Sequence, residues 1–305
     1  MDGCDRLEGY RVMRLLVFGL GYSATRFVTR HRSSFASITG TVRSSEKARR
    51  LREAGHDTII WPGGSNEVVA RAMADATHIL ISTPPGEQGD PVLAALGCEL
   101  ARHQHLRWIG YWSTIAVYGD ARGGWVDETT ACQPANARGQ ARLLAEEGWA
   151  RISEATGAAL HLLRLPGIYG PGRSALDSLR DGSAKRLVKP GQVFNRIHVG
   201  DIADATLAAA MASQRLPGRH VFNITDNEPA PPQDVVTFAA DLLGVAPPPE
   251  QDFETATLSP MARSFYGENK RVSNSLTRAA LGWQPHFPSY REGLADILAT
   301  EDQAA

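Results

Sequence analysis

Short apolar runs rich in β-branched and aromatic residues alternate with helix-like stretches over the first half of the chain, and no other feature restricts the fold as tightly. The runs are Leu15 to Phe18, Ile38 to Val42, Thr58 to Trp61, His78 to Ser82, Arg107 to Ser113 and Leu160 to Leu165. Between them lie Ser45 to Ala54, Asn66 to Ala74, Pro91 to His103 and Gln140 to Ala155. Strands that are apolar on both faces, each followed by a helix, build a parallel sheet covered on both sides. The pattern predicts an α/β chain with a doubly wound parallel sheet. After Gly170 the alternation weakens and Pro and Gly become denser, with one more strand expected at Val221 to Ile224. This predicts a sheet domain of residues 13–170 plus 199–225, and a smaller C-terminal substrate domain of residues 171–198 plus 226–305. A length of 305 residues accommodates two such domains.

Composition narrows the function classes. Hydrophobic residues at 43% and charged residues at 21% are ordinary globular usage and argue against disorder and coiled coil. A net charge of −1 supplies no basic face for phosphate neutralisation, so no nucleic-acid partner is expected. The apolar run Leu15 to Leu20 falls far short of the roughly 20 residues that span a bilayer, so no membrane partner is expected either. Cys4, Cys98 and Cys132 are an odd set without CxxC spacing, which argues against a disulfide framework or a zinc site and fits a cytoplasmic location. No metal is expected at His103 and His105, which lack a matching carboxylate or cysteine cluster. Met13 directly precedes the first strand, so residues 1–12 read as an extension or a start-codon artefact. Of the 32 basic residues only Lys47, Lys185, Lys189 and Lys270 are lysines, and none falls between residues 48 and 184.

The first strand runs into Gly19-Leu20-Gly21-Tyr22-Ser23-Ala24, a GxGxxA turn at the start of a helix. The first glycine permits a tight turn, the second lets backbone approach a pyrophosphate, and Ala24 allows close helix packing. The helix N-terminus favours the anion. A strand before the turn and a helix after it are the context that makes it a dinucleotide site. For NAD an acidic residue would follow the second strand and hold the adenosine ribose. The strand ends instead in Arg43-Ser44-Ser45, a guanidinium with two hydroxyls suited to a 2′-phosphate, so NADP is expected over NAD. Thr83 and Pro84, at the end of the fourth strand, are expected beside the cofactor's phosphates or ribose.

Taken with that turn, four further segments resemble the extended short-chain dehydrogenase/reductases, the NAD-dependent epimerase/dehydratase family, in an atypical branch. They are Ser113 to Gly119, Arg164 to Gly172, Arg196 to Ala203 and Leu281 to Pro285, in the family's order. The resemblance covers roughly residues 14–295 and implies a Rossmann sheet, hydride transfer in a cleft, a small-molecule substrate and a homodimer through the helices flanking the fifth and sixth strands. It further implies that Pro166, Gly167 and Ile168 lie against the nicotinamide, and that Thr114 orients the substrate oxygen. Arg173 and Arg196 are expected to contact substrate. His198 reads as a structural residue, Tyr118 as a packing residue and Asp201 as a helix N-cap.

One departure alters the chemistry that the resemblance implies. The family's Tyr and Lys, spaced YxxxK, fall here on Arg138 and Arg142, in Arg138-Gly139-Gln140-Ala141-Arg142. An arginine, with a pKa above about 12, cannot exchange a proton near neutral pH as a phenol can. Arg138 is expected to grip an anionic substrate group by its planar fork, and Arg142 to keep a positive charge at the ribose. Tyr266 to Lys270 also fits YxxxK but lies off the helix that follows the fifth strand, and reads as a chance match with Lys270 or Arg271 on the substrate side. The functional expectation is an NAD(P)-dependent oxidoreductase or epimerase-like enzyme without the dyad. The alternative is a non-catalytic NADP sensor.

Overall fold

A computed structural model describes residues 13–64 and 66–304, the last three of these by backbone alone. The expectation for residues 1–12, and Cys4 with it, lies outside the described residues. The chain divides into two compact units. Of the described residues, the first unit takes those up to Thr114, then Ala137–Arg164 and Ile202–Phe222. The second takes Ile115–Asn136, Leu165–Asp201 and the residues from Asn223 onward.

In the first unit every apolar run of the sequence becomes a strand. In chain order the elements are β1 (Arg14–Phe18), α1 (Tyr22–Arg30), β2 (Ser37–Val42), α2 (Ser45–Glu53), β3 (Asp57–Ile60), α3 (Glu67–Asp75), β4 (His78–Ile81), α4 (Pro91–Leu100) and β5 (Trp108–Thr114). The last helices and strands follow after an excursion into the second unit: β6 (Trp125–Val126) there, then α5 (Ala137–Thr156) and β7 (Ala159–Leu165). Helix α5 begins three residues before the predicted Gln140, with Ala137 and Arg138 in its first turn.

The main sheet has seven strands, completed by β11 (Arg219–Asn223), in the order β11-β7-β5-β4-β1-β2-β3. β1 pairs in parallel with β2 on one side and β4 on the other, with Leu15 opposite both Ile38 and His78. β2 with β3 and β4 with β5 are parallel as well. The fold is the α/β, Rossmann-like sheet that the alternation predicts. Chain order reverses between β1 and β4, and in such sheets ligands bind outside the carboxyl ends of the strands at that switch point. Val17, Phe18, Ile79, Leu80, Ile109, Leu160 and Leu162 are fully buried, so β1, β4, β5 and β7 are held by apolar packing on both faces.

The second unit is assembled from short elements: β8 (Gly167–Tyr169), α6 (Ala175–Arg180), β9 (Arg186–Val188), β10 (Arg196–His198), α8 (Pro232–Leu243), β12 (Glu250–Asp252), α9 (Pro260–Phe265), β13 (Arg271–Val272), α10 (Ser275–Leu281) and α11 (Tyr290–Ala304). Helix α7 (Val199–Met211) joins β10 to the first unit's part of the chain. β8 with β10, β9 with β12 and β6 with β13 form parallel pairs. A separate core of Tyr169, Leu176, Val235, Ala239, Tyr290 and Leu294 lies in this unit. Among the described residues no helix is long and apolar enough to cross a membrane.

Candidate active site

The GxGxxA turn is locked onto the sheet from three sides. Gly19 donates its N–H to Thr41 Oγ1 at 3.0 Å, Leu20 donates to the Thr41 carbonyl at 2.8 Å, and Ser82 Oγ donates to the Gly19 carbonyl. Leu20 is buried because Gly40 has no side chain: a Cβ there would lie 2.2 Å from Leu20 Cδ1. Gly19 has φ +95°, in the left-handed region, and a Cβ on it would lie 2.8 Å from Thr83 Cγ2. Gly21 differs. Its φ of −87° suits any residue, and a Cβ on it would meet nothing within 4 Å. The protein's own packing does not demand a glycine there, so the space it opens is available to a ligand.

Gly21 is also the N-cap of α1, which carries no side-chain cap and no acidic residue in its first turn. Its leading N–H groups and positive dipole end therefore suit an anion. Ala24 and Ser23 are buried against the sheet, whereas Tyr22 is partly exposed. Thr83 Oγ1, beside Gly19, is buried without a hydrogen-bond partner. A buried hydroxyl left unsatisfied costs roughly 1–3 kcal/mol, a cost that a bound polar group would remove. A dinucleotide's phosphates fit this cradle of helix N-terminus, open glycine and orphaned hydroxyl. Pro84 is exposed next to it.

Arg43 and Ser44 follow β2 and are exposed. Ser44 N-caps α2 by accepting from Lys47 N at 3.3 Å, which leaves its own O–H to donate. Thr114, half-buried, is the last residue of β5. Arg138 is exposed in the first turn of α5. Arg142, one turn on, is half-buried and directs Nη1 to the Trp112 carbonyl and, at 3.3 Å, to the Tyr111 hydroxyl. Its guanidinium lies 5.6 Å from the Tyr111 ring centre, a cation–π distance. Arg142 is thus tied to β5 two residues before Thr114. Burial pushes the Tyr111 hydroxyl far above its ordinary value, so that phenol is no proton donor at neutral pH.

The remaining candidates lie in the second unit. Gly167 donates its N–H to the Asn195 carbonyl at 3.2 Å and opens β8, with Pro166 before it and Ile168 paired with Ile197. Arg173 and Arg196 line one cavity of about 540 Å³. Tyr118 is buried and donates to Asn223 Oδ1 at 2.8 Å, and His198 packs edge-on against Tyr169 and Phe287. Asp201 departs from the N-cap expectation: it sits within the first turn of α7, and its carboxylate accepts from His286 N at 2.6 Å and Phe287 N at 3.1 Å. The carboxylate closes a loop instead of a helix end. Tyr266 stacks on Phe253, and the buried Lys270 pairs with Glu268.

A buried polar cluster behind Thr114 went unread in the sequence. Ser113 Oγ donates to Glu146 Oε1 at 2.5 Å, and Arg164 grips the same carboxylate with Nε at 3.1 Å and Nη2 at 2.7 Å. Glu146 lies one helical turn after Arg142, so α5 contacts β5 through both residues. The one signal available was an acidic residue at a core-facing position of α5, in the run Ala145-Glu146-Glu147-Gly148-Trp149.

A match to the family described as NAD dependent epimerase/dehydratase spans residues 94–225. The chain belongs to the NAD-dependent epimerase/dehydratase family. Within this fold, a conserved protein of unknown function from Silicibacter pomeroyi DSS is 45% identical, with 94% of this chain and 99% of that one covered and a TM-score of 0.83. A 3-diazoavenalumate denitrifying reductase from a Streptomyces species is 31% identical over 147 residues, a match taking in 44% of this chain and 45% of that protein. The UDP-glucose 4-epimerase of Thermus thermophilus, solved with NAD, shares the epimerase/dehydratase fold at 20% identity and a TM-score of 0.73, over 96% of this chain and all of that one.

Proposed function

We propose that this chain is an NADP-dependent oxidoreductase of the extended short-chain dehydrogenase/reductase kind that works without the Tyr/Lys dyad. The observation that carries the reading is the uncapped N-terminus of α1 beside the open Gly21 and the orphaned Thr83 hydroxyl. Gly19 to Ala24 would hold the pyrophosphate, Thr83 and Pro84 the adjoining ribose or phosphate, and Arg43 with Ser44 the 2′-phosphate. Pro166, Gly167 and Ile168 would support the nicotinamide, which supplies the hydride chemistry when bound.

Thr114 would donate its hydroxyl hydrogen to the substrate oxygen. Arg142 positions the end of β5 through the Trp112 carbonyl and keeps a positive charge near it. Arg138, exposed on the first turn of α5, would pair with an anionic group of the substrate. With no phenol at this position, the proton reaches the substrate from water. The free thiol of Cys98 accords with a reducing cytoplasm, and Leu144, 63% exposed on α5, accords with a homodimer contact on that helix.

The second reading, an NADP sensor, is favoured by one fact: Arg142 spends donors on β5. Incubation with NADPH and a panel of aldehydes, ketones and nucleotide sugars separates the two. Turnover that Thr114→Ala abolishes supports the enzyme. Tight NADPH binding with no turnover across the panel supports the sensor.

A further inference from the structure

The cavity of about 540 Å³ in the second unit is lined by two unlike sets of side chains. One is apolar, made by Val235 and Val236 of α8 and Leu294 of α11. The other carries Arg173, Lys185 and Arg196. Two carboxylates, Asp177 and Asp181, also line it, each accepting hydrogen bonds from neighbouring serines. Asp177 Oδ2 closes the capping box of α6 by accepting from Ser174 N at 2.7 Å and Ser174 Oγ at 2.6 Å. Asp181 accepts from Ser183 N at 2.9 Å.

Two of the cations have been given neutral partners instead. Arg196 donates Nη1 to the Phe194 and Ala230 carbonyls at 2.9 and 3.0 Å, and Lys185 donates Nζ to the Thr257 carbonyl at 3.1 Å. Among the described residues no ion pair joins either one to a carboxylate. Hydrogen bonds orient these charged groups without neutralising them, and three cations against two carboxylates leave the lining with a net positive charge beside its apolar side chains. A ligand complementary to both sets is an anion with an apolar body.

We propose that this cavity binds an amphiphilic organic anion, an aryl or alkyl body bearing a carboxylate or phosphate. Binding stands on the cavity alone, and the further step that this anion is the substrate class rests on the oxidoreductase reading. The volume, in the range of ordinary small-molecule sites, accommodates such a body. Isothermal titration of the full chain, without any dinucleotide, reads the cavity whatever the first unit binds. The probes are 3-phenylpropionate, phenyl phosphate and the neutral 3-phenylpropanamide.

Saturable one-to-one binding of at least one anion, ten-fold or more tighter than the amide, is expected. Which anion prevails distinguishes a carboxylate from a phosphate ligand. Lys185→Glu, at an exposed position, should weaken that binding at least ten-fold, and Val236→Trp should abolish it by filling the cavity, both with an unchanged Tm. Should Val236→Trp fail to fold, Lys185→Glu alone decides. Absence of binding by both anions, equal binding of the amide, or affinity untouched by Lys185→Glu overturns the proposal.

Discussion

Gly19 and Thr83 meet so closely that a Cβ on the glycine would stand 2.8 Å from Thr83 Cγ2. With φ at +95°, Gly19→Ala suffers both the contact and the backbone strain, together about 1–3 kcal/mol. A lowered Tm with NADPH affinity reduced at least ten-fold is expected from thermal melting and a fluorescence titration. Unchanged affinity would place the dinucleotide elsewhere.

Thr83→Val tests the orphaned hydroxyl from the opposite side. It removes a buried polar atom that has no partner in the fold, so stability without cofactor should hold or rise. NADPH affinity should fall by about ten-fold, corresponding to about 1.4 kcal/mol. Lower stability with unchanged affinity would make Thr83 a structural residue only.

Glu146 and Arg164 form a bidentate pair with side-chain exposures of 0% and 4%. Glu146→Ala leaves a buried guanidinium and the Ser113 hydroxyl without that carboxylate, and should cost about 3–5 kcal/mol in urea unfolding. The double variant Glu146→Leu with Arg164→Met should recover most of that loss. A single variant as stable as the parent would show that the pair contributes nothing to the fold.

Burial lowers His78 and His161 to about 4. His161 Nδ1 accepts from Trp108 Nε1 at 3.1 Å and lies 2.9 Å from the Ala209 carbonyl, and its Nε2 faces the Leu216 carbonyl at 3.0 Å. Burial outweighs the pull of the two carbonyls toward the charged ring. The unfolded chain then binds more protons than the fold between about pH 6.5 and pH 4, so stability present above that window is lost as the pH falls through it. Each histidine contributes on the order of 3 kcal/mol to this loss. His161→Gln, which keeps an acceptor and a donor, should flatten the fall of the urea midpoint between pH 6.5 and 4. An unaltered pH dependence would remove His161 as its source.

The sheet was legible because most of its strands are continuous apolar runs and the glycine turn after β1 is local. Leu15 to Phe18 and His78 to Ile81 announce themselves by composition, and Gly19 to Ala24 by spacing. The second unit was harder to read because β6, β8 and β13 have two or three residues each, too few to show a period. Side-chain pairing across long separations left even less trace. Glu146 reads as one more helix charge until the fold brings Ser113, 33 residues back, and Arg164, 18 residues on, to its two oxygens. Asp201 misled for the same reason, since its partners lie 85 and 86 residues away.

Titration of the chain with NADPH and with NADH, monitored by nicotinamide fluorescence, tests the central claim most directly. Arg43 and Ser44 in place of an acidic residue after β2 predict NADPH binding at least ten-fold tighter than NADH, with the gap narrowing toward parity in Arg43→Ala. Equal affinities, a preference for NADH, or no binding of either would contradict it.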